Sequence, residues 1–491
     1  MTTPGPLVPP PVSLAASGAR YAGLVGAVLL AVAGYLGGAL PDAPLGVTPA
    51  SIWTAPDGPT TLSCWLIGTV LLVGAWWSLR EGAPSTRWAY VTAGLWALPL
   101  LIAPPLGSRD VYSYACQGWT YAHGIDPYTV GVVAAGCPWL DTVAPIWRDT
   151  PAPYGPVFVL LAALAVGLGG GLTGTIVALR VIAVAGLLLA ALCLPGLARA
   201  AGVPARRAVW LALAGPLVGV HLVAGAHNDA VMLGLLLSGL LIVVRRPGRP
   251  GALPLAGRLL LAGTLLGLAV TVKATAVVVV PFAVLAGMPD RHTVRALLRH
   301  GGWLAGGLLA ALLVTSAASG LGFGWVGGLT HSGDSEQWTS PPTAVGFVVD
   351  YAGALVGRDP QAVPGVRAVA LLLLVGVLTV LWWRAWQTLR VAGPEIAGPR
   401  VALRGAALAL VATVVLSPVF HPWYATWPLA LLALTAARTT WFVLPAAAAA
   451  FLALPDGTNL ARVTKAPGAL AMTALLLTVL VRTARRRRRR S

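Results

Sequence analysis

The chain has few charged residues and very little acid. Of its 491 residues only 10% are charged. There are 15 acidic and 33 basic side chains, and only two of the basic ones are lysines. Soluble globular domains carry about 25% charged residues, so this composition excludes an ordinary soluble domain. The short alternating segments of a transmembrane β-barrel are also missing. Instead, apolar runs of about 20 residues, long enough to cross a bilayer as helices, recur along the chain.

Further absences narrow the class of protein. No internal repeat is visible, although transporters and lipid flippases, the alternative class, usually have one. A nucleotide-sugar enzyme is disfavoured because neither a cytosolic domain nor a glycine-rich phosphate-binding loop is visible. The first 20 residues carry one cation, Arg20, and the apolar run at 21–40 is too long for a secretory signal. We therefore interpret this run as a retained first helix.

The apolar pattern predicts an all-α integral membrane protein with 12–14 transmembrane helices in a single domain, 21–482. We expect a disordered cytoplasmic N-terminus over 1–20 and a polybasic cytoplasmic tail over 483–491. The number of helices stays open because the short pairs around Lys273 and His421 could be re-entrant. The predicted spans are 21–40, 62–79, 88–105, 173–196, 208–225, 230–244, 255–271, 275–287, 301–319, 364–384, 405–420, 422–437, 440–455 and 467–482.

The distribution of charge predicts the orientation. With the N-terminus inside, 25 of the 33 cations fall in cytoplasmic segments and six outside, as the positive-inside rule requires. Both termini are then cytoplasmic. Twelve of the 15 acids lie on the outer side, which indicates an extracytoplasmic active site in the plasma membrane. The run Arg485 to Arg490 favours binding of anionic lipid headgroups over nucleic acid.

The longest outer segment, 106–172, contains two predicted juxtamembrane surface helices. They cover Val111 to His123 and Gly155 to Leu168, and proline-rich turns separate them. Cys116 and Cys137 both lie in this loop. The oxidising outer side favours a disulfide between them, and two unpaired thiols are the alternative.

Five motifs carry a family resemblance: "RDVYSYACQG", "GIDPY", "TPAPYGPVF", "GAHNDAVM" and "SPVFHPWYATWPL". Together, in this order, they resemble the actinobacterial membrane α(1→6)-mannopyranosyltransferases of the GT-C superfamily. The resemblance implies a GT-C fold with a large first catalytic outer loop, and it implies that the first two helices are an N-terminal addition to the shared core. It also implies an inverting hexosyltransferase that moves mannose from polyprenyl-phosphate mannose to the 6-OH of a growing mannan of the lipomannan or lipoglycan type. A related arabinosyl- or glucosyltransferase is the alternative, because nothing in the sequence indicates which configuration at C2 of the donor sugar the enzyme recognises.

A lipid phosphate leaves as a stabilised anion, so inverting transfer needs one base and cations for the phosphate. Asp110 lies in the strongest motif at the outer mouth, and we predict it as the general base; helix capping is the alternative or additional role. Arg109 is predicted to contact either the donor phosphate or lipid headgroups. Asp126, before Pro127, fits a turn residue better than a base.

The remaining candidates bind donor or acceptor. We place His227, Asn228 and Asp229 at acceptor-sugar or phosphate contacts, because an ionisable cluster within a membrane run indicates function; a helix-turn cap is the alternative. Lys273 and His421 are predicted phosphate contacts, with a solvated turn lysine and a turn histidine as alternatives. Trp423 and Tyr424 could stack on sugars or belong to the aromatic belt. The motif tyrosines Tyr112, Tyr114, Tyr128 and Tyr154 complete the set. No cofactor and no metal site are expected, although GT-C relatives include metal-dependent enzymes.

Overall fold

The structure, a computed structural model, describes residues 13–45, 47–245, 253–288, 292–392 and 394–488. Regular structure in these ranges is helical, apart from one isolated bridge between Ala453 and Asn459. The α-helices are α1 Leu14–Gly37, α2 Pro49–Trp53, α3 Gly58–Ser78, α4 Thr86–Ile102, α5 Asp110–Ala122, α6 Pro156–Gly169, α7 Leu172–Ala200, α8 Ala205–Leu213, α9 Asp229–Val244, α10 Leu255–Val272, α11 Val280–Ala286, α12 Val294–Ser319, α13 Trp325–Gly328, α14 Pro341–Ala354, α15 Ala362–Ala392, α16 Pro394–Leu416, α17 Thr426–Thr435, α18 Thr440–Ala449, α19 Leu460–Val463 and α20 Lys465–Arg488.

The prediction of an all-α membrane protein is confirmed, but fewer helices than expected can span a bilayer by themselves. Within the described ranges, eight helices are long and apolar enough, or nine if α8 and the following π-helical turn Val218–Ala224 form one bent span. The predicted number was 12–14. The difference arises because several predicted spans are short: α9 has 16 residues, and α17 and α18 have 10 each.

Both predicted chain ends require correction. Helix α1 begins at Leu14, where the Ser13 hydroxyl accepts a hydrogen bond from the Ala16 N–H at 3.2 Å. This side-chain cap favours a helix start, so the expected disorder through residue 20 is wrong for 14–20, and 1–12 lie outside the described residues. Helix α20 continues to Arg488, so the predicted tail at 483–491 begins as helix; 489–491 lie outside the description.

The two predicted helices of the outer loop are present as α5 and α6, but only α6 resembles a surface helix. Residues of α5 from Val111 to Gly118 are buried by protein. The reason is close packing: a Cβ on Gly118 would lie 2.5 Å from the Ala162 carbonyl atoms of α6. The expected Cys116–Cys137 disulfide is present and joins α5 to the loop that follows it.

Two interruptions of membrane helices supply the polar side chains of the site. The axes of α8 and the π-helical turn differ by 64°. Beyond that turn, Ala226 adopts a positive φ of 50°, immediately before His227. Helix α10 ends at Val272, and Lys273 has an extended backbone before the 3₁₀ segment Ala274–Val279. Non-helical backbone at membrane depth is tolerated where protein or a cavity surrounds it. Here these two interruptions position the side chains of His227 and Lys273.

Candidate active site

An open cavity beside the first turn of α5 brings together six of the fourteen predicted site residues. It holds about 1060 Å³ of empty space, including solvent at its mouth. Its lining includes one acid, one lysine and a histidine, namely Asp110, Lys273 and His421. Five aromatic side chains also line it: Trp147, Tyr154, Trp423, Tyr424 and Trp427. A concave apolar surface with a few convergent polar groups is the usual form of a small-molecule site.

Asp110 is the first residue of α5 and sits in this wall. Its backbone N–H donates to the Ser108 hydroxyl at 3.0 Å, so Ser108 serves the helix start and leaves the carboxylate free of the predicted capping role. The side chain is 15% exposed. Burial raises the pKa of Asp110 to about 6; the nearby Asp229 carboxylate adds to the rise, whereas Ser108, Lys273 and Trp147 oppose it. The carboxyl is therefore mainly ionised at neutral pH yet more basic than an ordinary aspartate.

His227 lies between two carboxylates. Its Nδ1 is 3.8 Å from Asp110 Oδ2 and 3.8 Å from Asp229 Oδ2. The Tyr114 hydroxyl is 3.3 Å from the same nitrogen. Burial lowers the pKa of His227 well below its ordinary value, with His221, Lys273 and His421 adding to the effect, so the ring is neutral. At 3.8 Å neither carboxylate is within hydrogen-bond distance of Nδ1, so the neutral imidazole lies between the two carboxylates without adding charge.

Lys273 and Asp229 form a buried ion pair. The ammonium donates to both carboxylate oxygens, at 2.9 and 3.0 Å, and the Trp427 indole N–H donates to Oδ1. The ammonium also lies 5.0 Å from the Tyr424 ring centroid and 5.1 Å from that of Trp427. Such cation–π contacts favour a cation at this position. Lys273 is thus held at the wall of the cavity, in contrast to the alternative of a solvated turn lysine.

The aromatic wall is a stack built on the motif around His421. The His421 and Trp423 rings are parallel within 5°, with centroids 4.6 Å apart. Trp423 also contacts His227, with a centroid distance of 4.1 Å. Burial, together with the charges of Lys273 and Arg462 and the neighbouring His221, lowers the pKa of His421 to about 3. His421 is therefore a neutral ring that can donate one hydrogen bond and accept another.

The cavity contains functional residues that the sequence reasoning missed. Ser113 and Gln117 lie three and seven residues after Asp110, on the same face of α5, and their side-chain oxygens are buried without a hydrogen-bond partner among the described residues. The Thr275 hydroxyl is in the same condition. The spacing of polar residues along α5 was the available signal. Unpartnered buried polar atoms are rare, and here they point to a ligand.

A second cavity of about 730 Å³ meets the first at Asp110. Gln337, Asp456, Asn459 and Arg462 line it, and sequence reasoning missed all four. The chain contains only two asparagines, at 228 and 459, and both are buried at the site, so this scarcity was a usable signal. Asn228 lies beside the ion pair, but its amide atoms have no hydrogen-bond partner in the described structure.

Some predicted residues do not face the first cavity. The guanidinium of Arg109 donates to the carbonyls of Leu40, Ala43 and Thr142 at 3.0, 3.1 and 3.3 Å, so it lines the second cavity with three of its five N–H donors engaged. This arrangement argues against the predicted phosphate or headgroup contact.

Tyr114, His227, Asn228 and Asp229 also lie outside the lining of both cavities, and three further predicted residues have local roles. The Tyr112 hydroxyl donates to the Ala39 carbonyl. The Asp126 carboxylate accepts the Tyr128 N–H at 2.8 Å, the arrangement of the predicted turn. Tyr128 packs against Gly324 and lies outside both cavities. The positions of Tyr112, Asp126 and Tyr128 therefore do not support the prediction that they contact substrate directly.

Metal ligands are sparse in the described part of the chain. No group of three or more His, Cys, Asp or Glu side chains there is arranged to hold a metal ion.

Comparison with known proteins identifies the family. The family described as "Alpha-(1->6)-mannopyranosyltransferase, N-terminal domain" matches residues 20–289, and "MptB C-terminal domain" matches 342–483. An alpha-(1->6)-mannopyranosyltransferase of Mycobacterium tuberculosis is 33% identical over 472 residues, covering 85% of this chain and 78% of that protein. Alpha-(1->6)-mannopyranosyltransferase A of the same organism is 32% identical over 380 residues, with 75% and 69% covered. Alpha-(1->6)-mannopyranosyltransferase B of Corynebacterium glutamicum is 29% identical over 482 residues, with 89% and 78% covered.

No solved structure matches the chain. The first family match spans more than half of the 491 residues and includes Asp110, Asp229 and Lys273, while the second includes His421. Apart from Leu329 and His331, the residues that line the first cavity lie within the matched regions. The chain belongs to the alpha-(1->6)-mannopyranosyltransferase family.

Proposed function

We propose that the protein transfers mannose from polyprenyl-phosphate mannose to the 6-OH of a growing mannan, of the lipomannan or lipoglycan type, on the outer side of the plasma membrane. The observation that carries the proposal is the first cavity, whose lining contains the buried carboxylate of Asp110 together with Lys273 and His421. Membership in a mannosyltransferase family supplies the class of reaction. The lipid donor is supported by the lining of this cavity, which includes Thr413 of α16, a candidate membrane-spanning helix.

Asp110 acts as the general base. The acceptor hydroxyl oxygen attacks the anomeric carbon of mannose as the bond from that carbon to the phosphate oxygen breaks. The electron pair of this bond leaves with the lipid phosphate, and the hydroxyl proton moves to the Asp110 carboxylate. A pKa of about 6 keeps the carboxylate available near neutral pH and basic enough to accept that proton. Attack on the face opposite the phosphate inverts the anomeric configuration.

Lys273 and His421 stabilise the charge that develops on the phosphate. The ammonium is fixed by two hydrogen bonds to Asp229 and retains a third N–H for a phosphate oxygen. His421, a neutral ring at the cavity wall, supplies one further N–H. Donors held in place before the reaction need no reorganisation when charge develops. The chain's own groups therefore suffice for this step, and we expect no cofactor or metal requirement.

Transfer by purified protein tests the proposal. Detergent-solubilised enzyme is given radiolabelled polyprenyl-phosphate mannose and a synthetic α(1→6)-linked dimannoside, with the arabinose- and glucose-bearing donors as parallel arms. We expect a trimannoside with a new α(1→6) bond, identified by NMR. Transfer from another donor in preference to mannose, or no transfer from any, would contradict the proposal.

The sidedness belongs to the same proposal. The 25-to-6 division of cations orients both termini toward the cytoplasm and the cavity outward, with the arginine-rich end of α20 beside anionic headgroups. Reporter fusions after Gly107 and Asp456 should report the outside, and a fusion after Ser491 the inside. A fusion after Ser491 that reports the outside would reverse the orientation and place Asp110 in the cytoplasm.

A further inference from the structure

The two cavities converge on the same few side chains. Asp110, Trp147, His421 and Trp423 line both of them. A transferase must bring two different molecules to one base. Two cavities that share the proposed base provide separate approaches to it, and their walls differ in chemistry.

The first cavity is connected to the membrane-spanning part of the protein. Thr413 in its wall belongs to the span Gly398–Leu416, and Lys273 directly follows the span Leu255–Val272. Apolar contacts from Leu329 and Val419 add to this wall. A substrate with a polyprenyl tail must keep that tail in an apolar environment while its phosphate reaches Lys273.

The second cavity is built from segments outside the membrane spans. None of its lining residues in the described chain falls within the eight candidate spans. Its wall carries fixed amides: the Asn459 side chain donates to Gln337 Oε1 at 2.8 Å, and the Gln337 amide nitrogen donates to the Ser335 hydroxyl at 3.0 Å. Asp456 accepts from the Thr458 hydroxyl at 2.6 Å. Side chains ordered by one another lose little entropy when a ligand binds.

The chemistry of this wall suits a neutral polyol better than a phosphate. Amide groups can donate to and accept from sugar hydroxyls, and a carboxylate can accept from them. The Asp456 carboxylate would repel an anion, and three backbone carbonyls engage three of the five N–H donors of Arg109. Arg462, an exposed residue of the wall, can bond to hydroxyl oxygens at the mouth.

We infer that the second cavity is the acceptor site, binding a neutral chain of hexose units between the 335–337 segment and the 453–462 loop and presenting its terminal hydroxyl to Asp110. The inference rests on the proposed function for the identity of the two substrates. It assigns the donor to the first cavity and the glycan to the second, and it gives the C-terminal loop a direct role in acceptor recognition.

Two matched substitutions test this assignment, because each adds the same side chain to one cavity. Ala144 lines the second cavity, and Ala274 lines the first. Ala144→Trp should raise the KM for the dimannoside at least tenfold and leave the KM for polyprenyl-phosphate mannose within twofold. Ala274→Trp should do the reverse. An unchanged dimannoside KM in Ala144→Trp, with transfer intact, would overturn the inference.

Binding without turnover separates the inference from the proposed function. Saturation-transfer-difference NMR with the dimannoside should give signals for the wild type and Ala274→Trp and lose them for Ala144→Trp. If the wild type binds the dimannoside in this way but transfers no mannose, the proposed function fails and the carbohydrate site stands. Dimannoside signals that persist in Ala144→Trp place the glycan elsewhere.

Arg462→Gln guards against misfolding, because the residue is exposed. It should raise the dimannoside KM several-fold with an unchanged melting temperature and donor KM. If Ala144→Trp fails to fold, an unchanged dimannoside KM in Arg462→Gln overturns the inference.

Discussion

Replacing Asp110 by asparagine should separate stability from activity. The change keeps the shape of the side chain and removes the charge. A pKa of about 6 compared with 3.8 for an ordinary carboxyl is a difference of about two pH units. At about 1.4 kcal/mol per unit, keeping this carboxylate ionised in the folded protein costs roughly 3 kcal/mol. The helix dipole at the start of α5 stabilises the charged carboxylate and offsets about 0.3–1 kcal/mol of this cost.

The sign of the effect depends on pH. Because the folded pKa lies above the unfolded one, the cost is fully present above about pH 6 and disappears as the pH falls toward 3.8. At pH 7.5 the unfolding free energy of Asp110→Asn should therefore equal or exceed that of the wild type, by about 2 kcal/mol at most. The variant should accordingly melt at an equal or higher temperature. This advantage should shrink when the melt is repeated at pH 5.

The same substitution should nearly abolish transfer. Loss of a positioned base typically lowers the rate by about 10²–10⁴. In the wild type, kcat/KM should fall about tenfold per pH unit below pH 6, and the residual activity of Asp110→Asn should lack this dependence. Asp126→Asn, which alters a carboxylate outside both cavities, is the matched control and should keep the wild-type profile. Near-normal turnover by Asp110→Asn, or a lower melting temperature at pH 7.5, would refute the reasoning.

Three further perturbations test the surroundings. Lys273→Met leaves Asp229 buried without its ion-pair partner and should cost about 3–5 kcal/mol of unfolding free energy; adding Asp229→Leu should recover most of it, and a fully stable single variant would contradict the pairing. Replacing Cys116 and Cys137 by serine should cost about 3 kcal/mol in the chain-entropy model, while thiol labelling of unreduced wild-type protein should leave both blocked. Transfer should persist in excess EDTA, because Lys273 supplies the positive charge beside the phosphate; reversible loss would indicate a metal.

The sequence motifs predicted the members of the first cavity better than their connections. Asp110, Lys273 and His421 lie in separate motifs, and helix interruptions beside two of them bring all three to one wall. Their contacts were beyond sequence reasoning, because each joins distant parts of the chain. Lys273 pairs with Asp229, which lies 44 positions before it in the chain. Trp427, whose indole N–H also binds Asp229, lies 198 positions after Asp229.

Helix number and the second cavity were harder to predict for different reasons. The predicted span 230–244 agrees closely with α9, Asp229–Val244, whereas the predicted span 422–437 is longer than α17, Thr426–Thr435, because apolar composition does not mark where a helix stops. The second cavity depends on Gln337 and Asn459, which are 122 residues apart and bonded to each other. Neither lies in one of the five motifs that carry the family resemblance, and although the scarcity of asparagine marks Asn459, its pairing with Gln337 could not be read from the sequence.

The clamp around residues 39–43 has a consequence for protein engineering. Arg109 and Tyr112 donate to carbonyls of Ala39, Leu40 and Ala43, and the Ala39 N–H donates to the Pro105 carbonyl at 3.0 Å. The first helices, which resemble an optional addition to a shared core, are thereby bonded to the residues on either side of the base. A chimera that exchanged α1 for a foreign helix, without residues 39–43, would leave a buried guanidinium and a phenol unsatisfied, at about 1–3 kcal/mol for each. Graft boundaries in this family belong before α1 or inside it, never between α1 and the catalytic loop.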